Sequence, residues 1–577
     1  MPRDRLTWIV VPLAVIGLIL TIFWQQQEAA RTRAQAYANQ PVTPPPPSAT
    51  PAATPPAVTA QSAPTPAQAE VPEQDATLKS DVAKLDFSNV RGGLTQVELL
   101  QYKAEDDHPV ILSNDRAAAI GAITRNPSDW RDSGYTLTDD QANSSVTLTK
   151  DIGNNIQVTK TYTVGKSAGV QDPFQLKLTI GFKNTGGAAQ DVPGFFVNTG
   201  AAQPIHANDR SNYTTFGWDR DSKYQSVNVD WFGPSSFLFF PTSAGHDIYS
   251  ATGDQISWAA VADQYFTTIL QSKDKSAGQV WAKRDPLSND PTQKPGWSID
   301  GALGFPGFNL QPGETKSKEF VIYAGPKEYG RLSKLGDDFT AVLPFGLPFG
   351  PISTGLLIMM NTIHAFVGSY GLSILLMTVI IRGAVWPIQN VSMKSMRKMA
   401  KLSPLINELK VKYKDDQQRM NQEMMKLYKE YNINPLAGCL PMLIQIPIFF
   451  AFYAMLGSAV ELRDSSFLWV RDLSQPDTVA HIFGFPLNII PLVSAATQLW
   501  QLQITPKTGD ASQQRILLIM PIVFLFICYN FAAALSLYYT ASNLFTILQT
   551  YLTMKQTAPD LPKPVKAQAV AKKKSYR

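Results

Sequence analysis

The sequence predicts a polytopic α-helical membrane protein that carries a large β-sandwich domain on the far side of the membrane. Three observations predict it. Apolar, nearly charge-free runs open the chain and recur through its last third. Residues 79–335 instead alternate apolar and polar positions in short stretches. A Pro/Ala/Thr/Gln-rich block over 25–78 sits between the first apolar run and this region.

At 577 residues the chain has room for several domains. Leu6–Trp24, "LTWIVVPLAVIGLILTIFW", is charge-free and long enough to span a bilayer as a helix. Arg3 and Arg5 precede it, which favours an N-terminus kept in the cytoplasm. A cleaved signal peptide is the rival. Its apolar core is about 7–15 residues, and here the nearest small-x-small site, Ala34-Gln35-Ala36, lies far downstream. Residues 1–24 are therefore read as an uncleaved anchor.

The block 25–78 buries no core and favours extended polyproline conformation, which makes it a spacer. Beyond it, "SVTLTKDIGNNIQVTKTYTV" alternates on both sides of Gly153-Asn154-Asn155, the pattern of a β-hairpin. "FQLKLTIGFKNTGG" and "KEFVIYAG" repeat the alternation, and a β-sandwich over 79–335 follows. His108, His206 and His246 stand alone there and read as ordinary surface or core residues. Cys439 and Cys528, the chain's only cysteines, lack metal-ligand spacing, and no disulfide, metal or cofactor is implied.

From Phe339 to Ile381 the chain is nearly uncharged. It divides into an interfacial stretch rich in Phe, Pro and Gly and a crossing that starts between Asn361 and Ser369. Cys439–Ser458 and Leu487–Leu502 supply two more crossings. Ile516–Met554 supplies another two around a turn near Ala532–Ser536, which makes six spans in all. Charge agrees with that threading. The loop Arg382–Gly438 holds eleven Lys and Arg against five acidic residues, and the tail 555–577 holds seven against one. Both then share the cytoplasmic side with Arg3 and Arg5.

The segment 384–431 reads as two charged helices joined at Lys414-Asp415-Asp416. Its basic excess suits a pair of helices resting on anionic lipid. Its methionines Met393, Met396, Met399, Met420 and Met424 suit a docking arm for varied apolar segments.

Arg382 is the one charge in "GLSILLMTVIIRGAVWPIQ". It either snorkels as an anchor at the membrane edge or faces a wet recess inside the membrane, where it costs about 2.5–3.5 kcal/mol at a helix centre. Thr378 lies one turn away on the same face, and Gln445, Gln498, Gln501, Asn530, Ser536, Thr540, Ser542 and Asn543 bring polarity to the other spans. No carboxylate lies inside a span, which counts against a proton relay or an ion-coupled transporter.

The stretch "NINPLAGCLPMLIQIPIFFAFYAML", with "GLSILLMTVIIRGAVWPI", "QRMNQEMMKLYKEYNINP", "ELRDSSFLWVRDLS" and "LSLYYTASNLFTILQ", closely resembles the YidC/Oxa-type family of membrane protein insertases. The match is dense from Phe339 to Met554, and the order of anchor, linker, β domain and helical core is that of the Gram-negative six-span branch. The resemblance implies a five-helix insertase core over 336–554 around a hydrophilic groove closed towards the periplasm. It places the family's groove arginine on Arg382, which selects the recess over the anchor. It sets Thr378 and Tyr539 on the path of a substrate helix. Gln445, Gln498 and Asn530 from the polar set above, with Tyr538, complete the expected groove.

The resemblance also implies nascent membrane proteins as clients and the Sec translocon as a partner. Ribosome or signal-recognition receptor would meet the hairpin and basic tail, and the protein would be an inner-membrane chaperone and insertase, not an enzyme. Where the family often has Phe-Pro-Ser-Gly between the last two spans, this chain has Phe531-Ala532-Ala533-Ala534. Two rival functions are a small-anion transporter using Arg382 and a tethered carbohydrate-binding module or enzyme in the β domain.

Overall fold

The computed structural model describes residues 72–556, apart from 105–106, 114–115, 127–128, 130, 166–168, 207–208, 238–239, 244, 289–295, 347, 415, 432, 435–439 and 506–510. The expected anchor, all but the end of the linker, Cys439 and nearly all of the basic tail lie outside the described residues. The chain divides into two compact units, Met1–Leu343 and Pro344–Arg577.

The first unit is built on a 13-stranded sheet. Along its main path run Ile123–Thr124, Phe195–Ala202, Trp297–Phe305, Ala277–Pro286, Ile248–Ala262, Phe266–Ser272, Thr315–Pro326, Gln175–Asn184, Ile156–Val164, Ser145–Asp151 and Thr136–Asp140. Thr215–Arg220 and Lys223–Asn228 branch from the long strand Ile248–Ala262. Neighbouring strands are antiparallel throughout this sheet.

The hairpin read from the sequence is present. Ser145–Asp151 pairs with Ile156–Val164, and Gly153, Asn154 and Asn155 take φ values of 87°, 51° and 53° at the turn. Strict alternation along Ile156–Val164 turns every second side chain into the core. A four-stranded meander from Asp75 to Leu112 lies against the large sheet, with the Phe87 and Tyr162 rings 5.0 Å apart. Trp218, Trp258 and Trp281 are fully buried. Trp258 lies edge-on to Phe339 and gives its indole N–H to the Asp337 carbonyl at 2.9 Å.

One ionic cluster is sunk into this core. The Asp132 carboxylate pairs with Lys160, which is fully buried, and with Lys150, and it accepts the Tyr135 hydroxyl at 2.9 Å. Burial alone would raise the Asp132 carboxyl, but the two ammonium groups hold it below its ordinary value. Burial brings the Lys160 ammonium down to about 8. The unit closes with α1, Tyr329–Leu335.

The second unit is helical. Its described helices are α2 Gly350–Val367, α3 Tyr370–Lys412, α4 Gln417–Glu430, α5 Leu440–Leu456, α6 Ile489–Ile504, α7 Ala511–Cys528 and α8 Ala533–Lys555. Gly368, left-handed at φ 71°, ends α2 and returns its N–H to the His364 carbonyl at 2.8 Å. α3 then starts afresh at Tyr370 and runs 43 residues, about 65 Å, through Pro387 and Pro404. One rod therefore joins the apolar segment to the first half of the charged hairpin. α4 returns beside it, its N-terminus capped by the Asp416 carboxylate on the Arg419 N–H at 2.9 Å.

Among the described helices α2 and α3 have the length and apolarity to cross a bilayer, and the apolar parts of α5 and α7 are shorter, Leu443–Leu456 and Leu518–Cys528. The turn expected near Ala532–Ser536 falls earlier, between Cys528 and Ala533. Ala533 and Ala534 are already helical because their N–H groups donate to the Gln475 and Leu473 carbonyls at 2.8 and 3.0 Å.

Candidate substrate groove

α3, α5 and α8 meet around an open recess lined by Ile381, Arg382, Val385, Gln389, Ile444, Gln445, Ile448 and Tyr538. Arg382 is half-buried. Its Nε donates to the Ser542 hydroxyl at 2.8 Å and a terminal nitrogen bonds the same oxygen. Among the described residues no carboxylate pairs with it. A guanidinium has five N–H donors, and Ser542 is its only described hydrogen-bond partner.

Across the recess Gln445 Nε2 donates to the Tyr538 hydroxyl at 3.3 Å. The Tyr538 ring stacks on Phe452 with centroids 3.8 Å apart, which fixes it against α5. Gln389 turns a buried Oε1 inward that has no partner among the described residues. The wall is thus mixed: four aliphatic side chains stand beside three polar ones and one uncompensated positive charge.

The other expected groove residues are distributed differently. Thr378 is fully buried, and its hydroxyl bonds back to the Ile374 carbonyl at 2.7 Å, so it does not line the recess. Tyr539 packs on Phe449 and Phe524, with its hydroxyl buried and unpartnered among the described residues. Gln498 is half-buried on α6, whereas the polar tie from that helix to α8 runs through Asn543, which donates to the Ser494 carbonyl and the Thr497 hydroxyl, each at 3.2 Å.

Asn530 lies in the turn between α7 and α8, exposed, with its Oδ1 3.4 Å from Asn488 Nδ2. It is not among the residues that line the recess. Ser542 and Gln389 do line up with Arg382. Their signal is helical spacing, since Ser542 stands four residues after Tyr538 and Gln389 seven after Arg382.

Below the recess α3 and α8 are joined by further polar contacts. Gln549 donates to the Trp386 carbonyl at 3.4 Å and Thr553 to the Asn390 side chain at 3.2 Å. Arg397 donates to the carbonyls of Thr553 and Gln556 at 2.9 and 2.8 Å, and so caps the end of α8. In the helical arm Met393 and Met420 are buried, and Met396, Met399 and Met424 are half-buried. The clearly exposed methionine is Met425.

An apolar helical unit with a charged recess, preceded by a β-rich unit, fits the class of integral membrane proteins with an extramembrane domain. Comparison with known proteins agrees. Residues 75–357 match the model of the YidC periplasmic domain and residues 362–560 that of the 60Kd inner membrane protein. The chain is 30% identical over 489 residues to the membrane protein insertase YidC of Geobacter sp. (strain M21), covering 82% of this chain and 84% of that protein. It is 28% identical over 569 residues to its counterpart in Pelobacter propionicus, covering 95% and 98%. It also aligns with the crystal structure of an active YidC insertase with its first transmembrane domain resolved, at 17% identity and a TM-score of 0.35, over 83% of this chain and 92% of that one. The chain belongs to the YidC family of membrane protein insertases, inner-membrane proteins with a periplasmic domain and a non-enzymatic function.

Proposed function

We propose that this protein inserts and helps fold inner-membrane proteins by taking a client's hydrophilic end into the recess at Arg382. The observation that carries this reading is the guanidinium itself, half-buried and without a carboxylate among the described residues. A polar client terminus entering an apolar membrane pays a desolvation cost of several kcal/mol per unsatisfied group. Donors on Arg382, Gln445 and Tyr538 offset part of it, most of all for acidic residues. The client's apolar helix then leaves laterally along α3 and α8, driven by roughly 25 cal/mol per Å² of apolar surface transferred.

In this reading α3, α5, α6, α7 and α8 cross the membrane, α2 lies at the interface, and an N-terminal anchor makes a sixth span. Both termini and the arm 384–431 then face the cytoplasm, and the β domain faces the periplasm. The arm and basic tail meet the nascent chain, the ribosome or a signal-recognition receptor, and anionic lipid. The core works alone or beside the Sec translocon.

The test is insertion of a short, acidic-tailed membrane protein into liposomes that hold only this purified chain, scored by protease protection of the translocated tail. Protection well above empty liposomes is expected. No gain from a folded, correctly oriented protein rejects autonomous insertion.

A further inference from the structure

The loop between α5 and α6 carries a small β-hairpin, Thr478–Ile482 paired with Phe485–Asn488. From Thr478 to Asn488, "TVAHIFGFPLN" contains no Asp, Glu, Lys or Arg. All five residues of the first strand are exposed, and the turn residue Phe483 is 98% exposed and Phe485 76%. Phe483 and Gly484 take φ values of 51° and 83°, the two left-handed positions of a type I′ turn. Asn-Gly is the favoured pair there, because asparagine tolerates the left-handed region and a bulky aromatic resists it. The chain holds a phenylalanine in an unfavourable conformation at the most exposed point of the loop.

The base of this hairpin is polar and pinned. Thr478 Oγ1 donates to the Asn488 side chain at 2.6 Å, and Asn488 Nδ2 donates to the Tyr529 carbonyl at 2.8 Å. The Asp477 carboxylate accepts the N–H groups of Ile489 and Ile490 at 3.0 and 2.7 Å, which caps α6. The hairpin therefore springs from the end of the bundle where α6 and α8 begin, opposite the helical arm. A second apolar turn on the same loop exposes Leu468, also left-handed, and Trp469.

A free two-stranded hairpin is marginal in water, and exposed strand edges are ordinarily guarded by charge, especially lysine. This one has no charged guard, only Pro486 and a register shift between Thr478 and Ala480. It runs directly into α6, whose outward side chains Leu492 and Val493 are apolar and exposed. Its apolar surface is thus continuous with the lipid-facing surface of the bundle. Its exposed Phe and Trp are suited to the boundary between headgroups and acyl chains.

We infer that the 478–488 hairpin is a membrane-dipping element, with Phe483 and Phe485 seated in the lipid leaflet opposite the arm. The inference rests on the reading of the bundle as membrane-spanning, and the experiment separates the two. The full-length chain, with Cys439→Ser and Cys528→Ala, receives one NBD-labelled cysteine and is reconstituted in phosphatidylcholine/phosphatidylglycerol liposomes. The label sits at Phe483→Cys or, as a control on the outer face of α7, at Ile522→Cys.

Both probes are expected to emit in the blue and to be quenched by nitroxide-labelled lipid severalfold more than by iodide. Iodide quenching at 483 alone places the tip in water, and silence to both quenchers places it under protein; either overturns the inference and leaves the bundle reading intact. Failure of lipid quenching at 522 as well overturns both. A third protein carries the label at Phe485→Cys together with Phe483→Asn, which suits the turn and preserves the hairpin. Its lipid quenching is expected to fall relative to Phe485→Cys alone, and unchanged quenching removes Phe483 from the contact.

Discussion

The ring of Phe467 occupies the space that a Cβ on Gly371 would need. Gly371 is the second residue of α3, and Phe467 belongs to the α5–α6 loop, so this contact seats the loop on the start of the longest helix. The atoms in the way are the Cβ, Cγ and one ring carbon of Phe467, not the end of a flexible chain. Gly371→Ala is expected to destabilise the helical unit by about 1–3 kcal/mol. Thermal unfolding in detergent reads the loss, and Phe467→Ala in the same chain should recover part of it. Strict additivity of the two changes would sink the idea.

Arg382 and Ser542 separate charge from geometry. Arg382→Lys keeps a cation but loses the planar fork, and Arg382→Gln removes the charge. Insertion of an acidic-tailed client is expected to fall roughly tenfold in the glutamine variant, about 1.4 kcal/mol, and only a few-fold in the lysine variant. Ser542→Ala should have the mildest effect, since the guanidinium keeps its charge. Equal losses from lysine and glutamine would show that shape, not charge, matters in the recess.

Arg397 caps the C-terminal carbonyls of α8 from a neighbouring helix. Its loss in Arg397→Ala is expected to cost about 1–3 kcal/mol, the range for a hydrogen bond to a charged group. Hydrogen exchange at Thr550–Gln556 should rise while exchange at the recess, around Tyr538, stays unchanged. A rise at both places would mean that Arg397 holds more than the helix end.

In the β domain the Asp300 carboxylate is buried, neither oxygen has a hydrogen-bond partner among the described residues, and Lys283 Nζ lies 3.5 Å away. Burial outweighs Lys283 and pushes the acid up to about 8. The folded state therefore holds this proton more tightly than the unfolded chain, whose ordinary value is 3.8. The contribution to stability is full below pH 4 and is lost as pH rises towards 8, by an amount on the order of a few kcal/mol. Asp300→Asn should flatten that slope and be the more stable protein at pH 8, as measured by urea midpoints from tryptophan fluorescence of the full chain in detergent.

Some of this was legible in the sequence for local reasons. Alternation and Gly153-Asn154-Asn155 specify a hairpin without outside help, and a lone arginine in an apolar run stands out wherever it lies. What was not legible depends on distant partners. The triplet Ala532-Ala533-Ala534 favours helix on both sides of a break, and the break is placed by the carbonyls of Leu473 and Gln475, some sixty residues earlier. Asn530 follows that turn out of α7. Ser542 was hidden among helical serines and threonines until α3 brought Arg382 against it. Thr378 shares Arg382's face by spacing, yet its hydroxyl is spent on its own helix.

The contacts between α3 and α8 form a riveted seam from Arg382–Ser542 down to Arg397–Gln556, 15 residues or about 22 Å along α3. Parting the two helices would break all of these hydrogen bonds at once, a cost that counts against the seam as a gate. A client helix that leaves by this route travels along the outside of a closed edge, as a curtain runs along a rail. The mobility that release demands is then carried by the client and the lipid, and the protein can hold its shape from one client to the next.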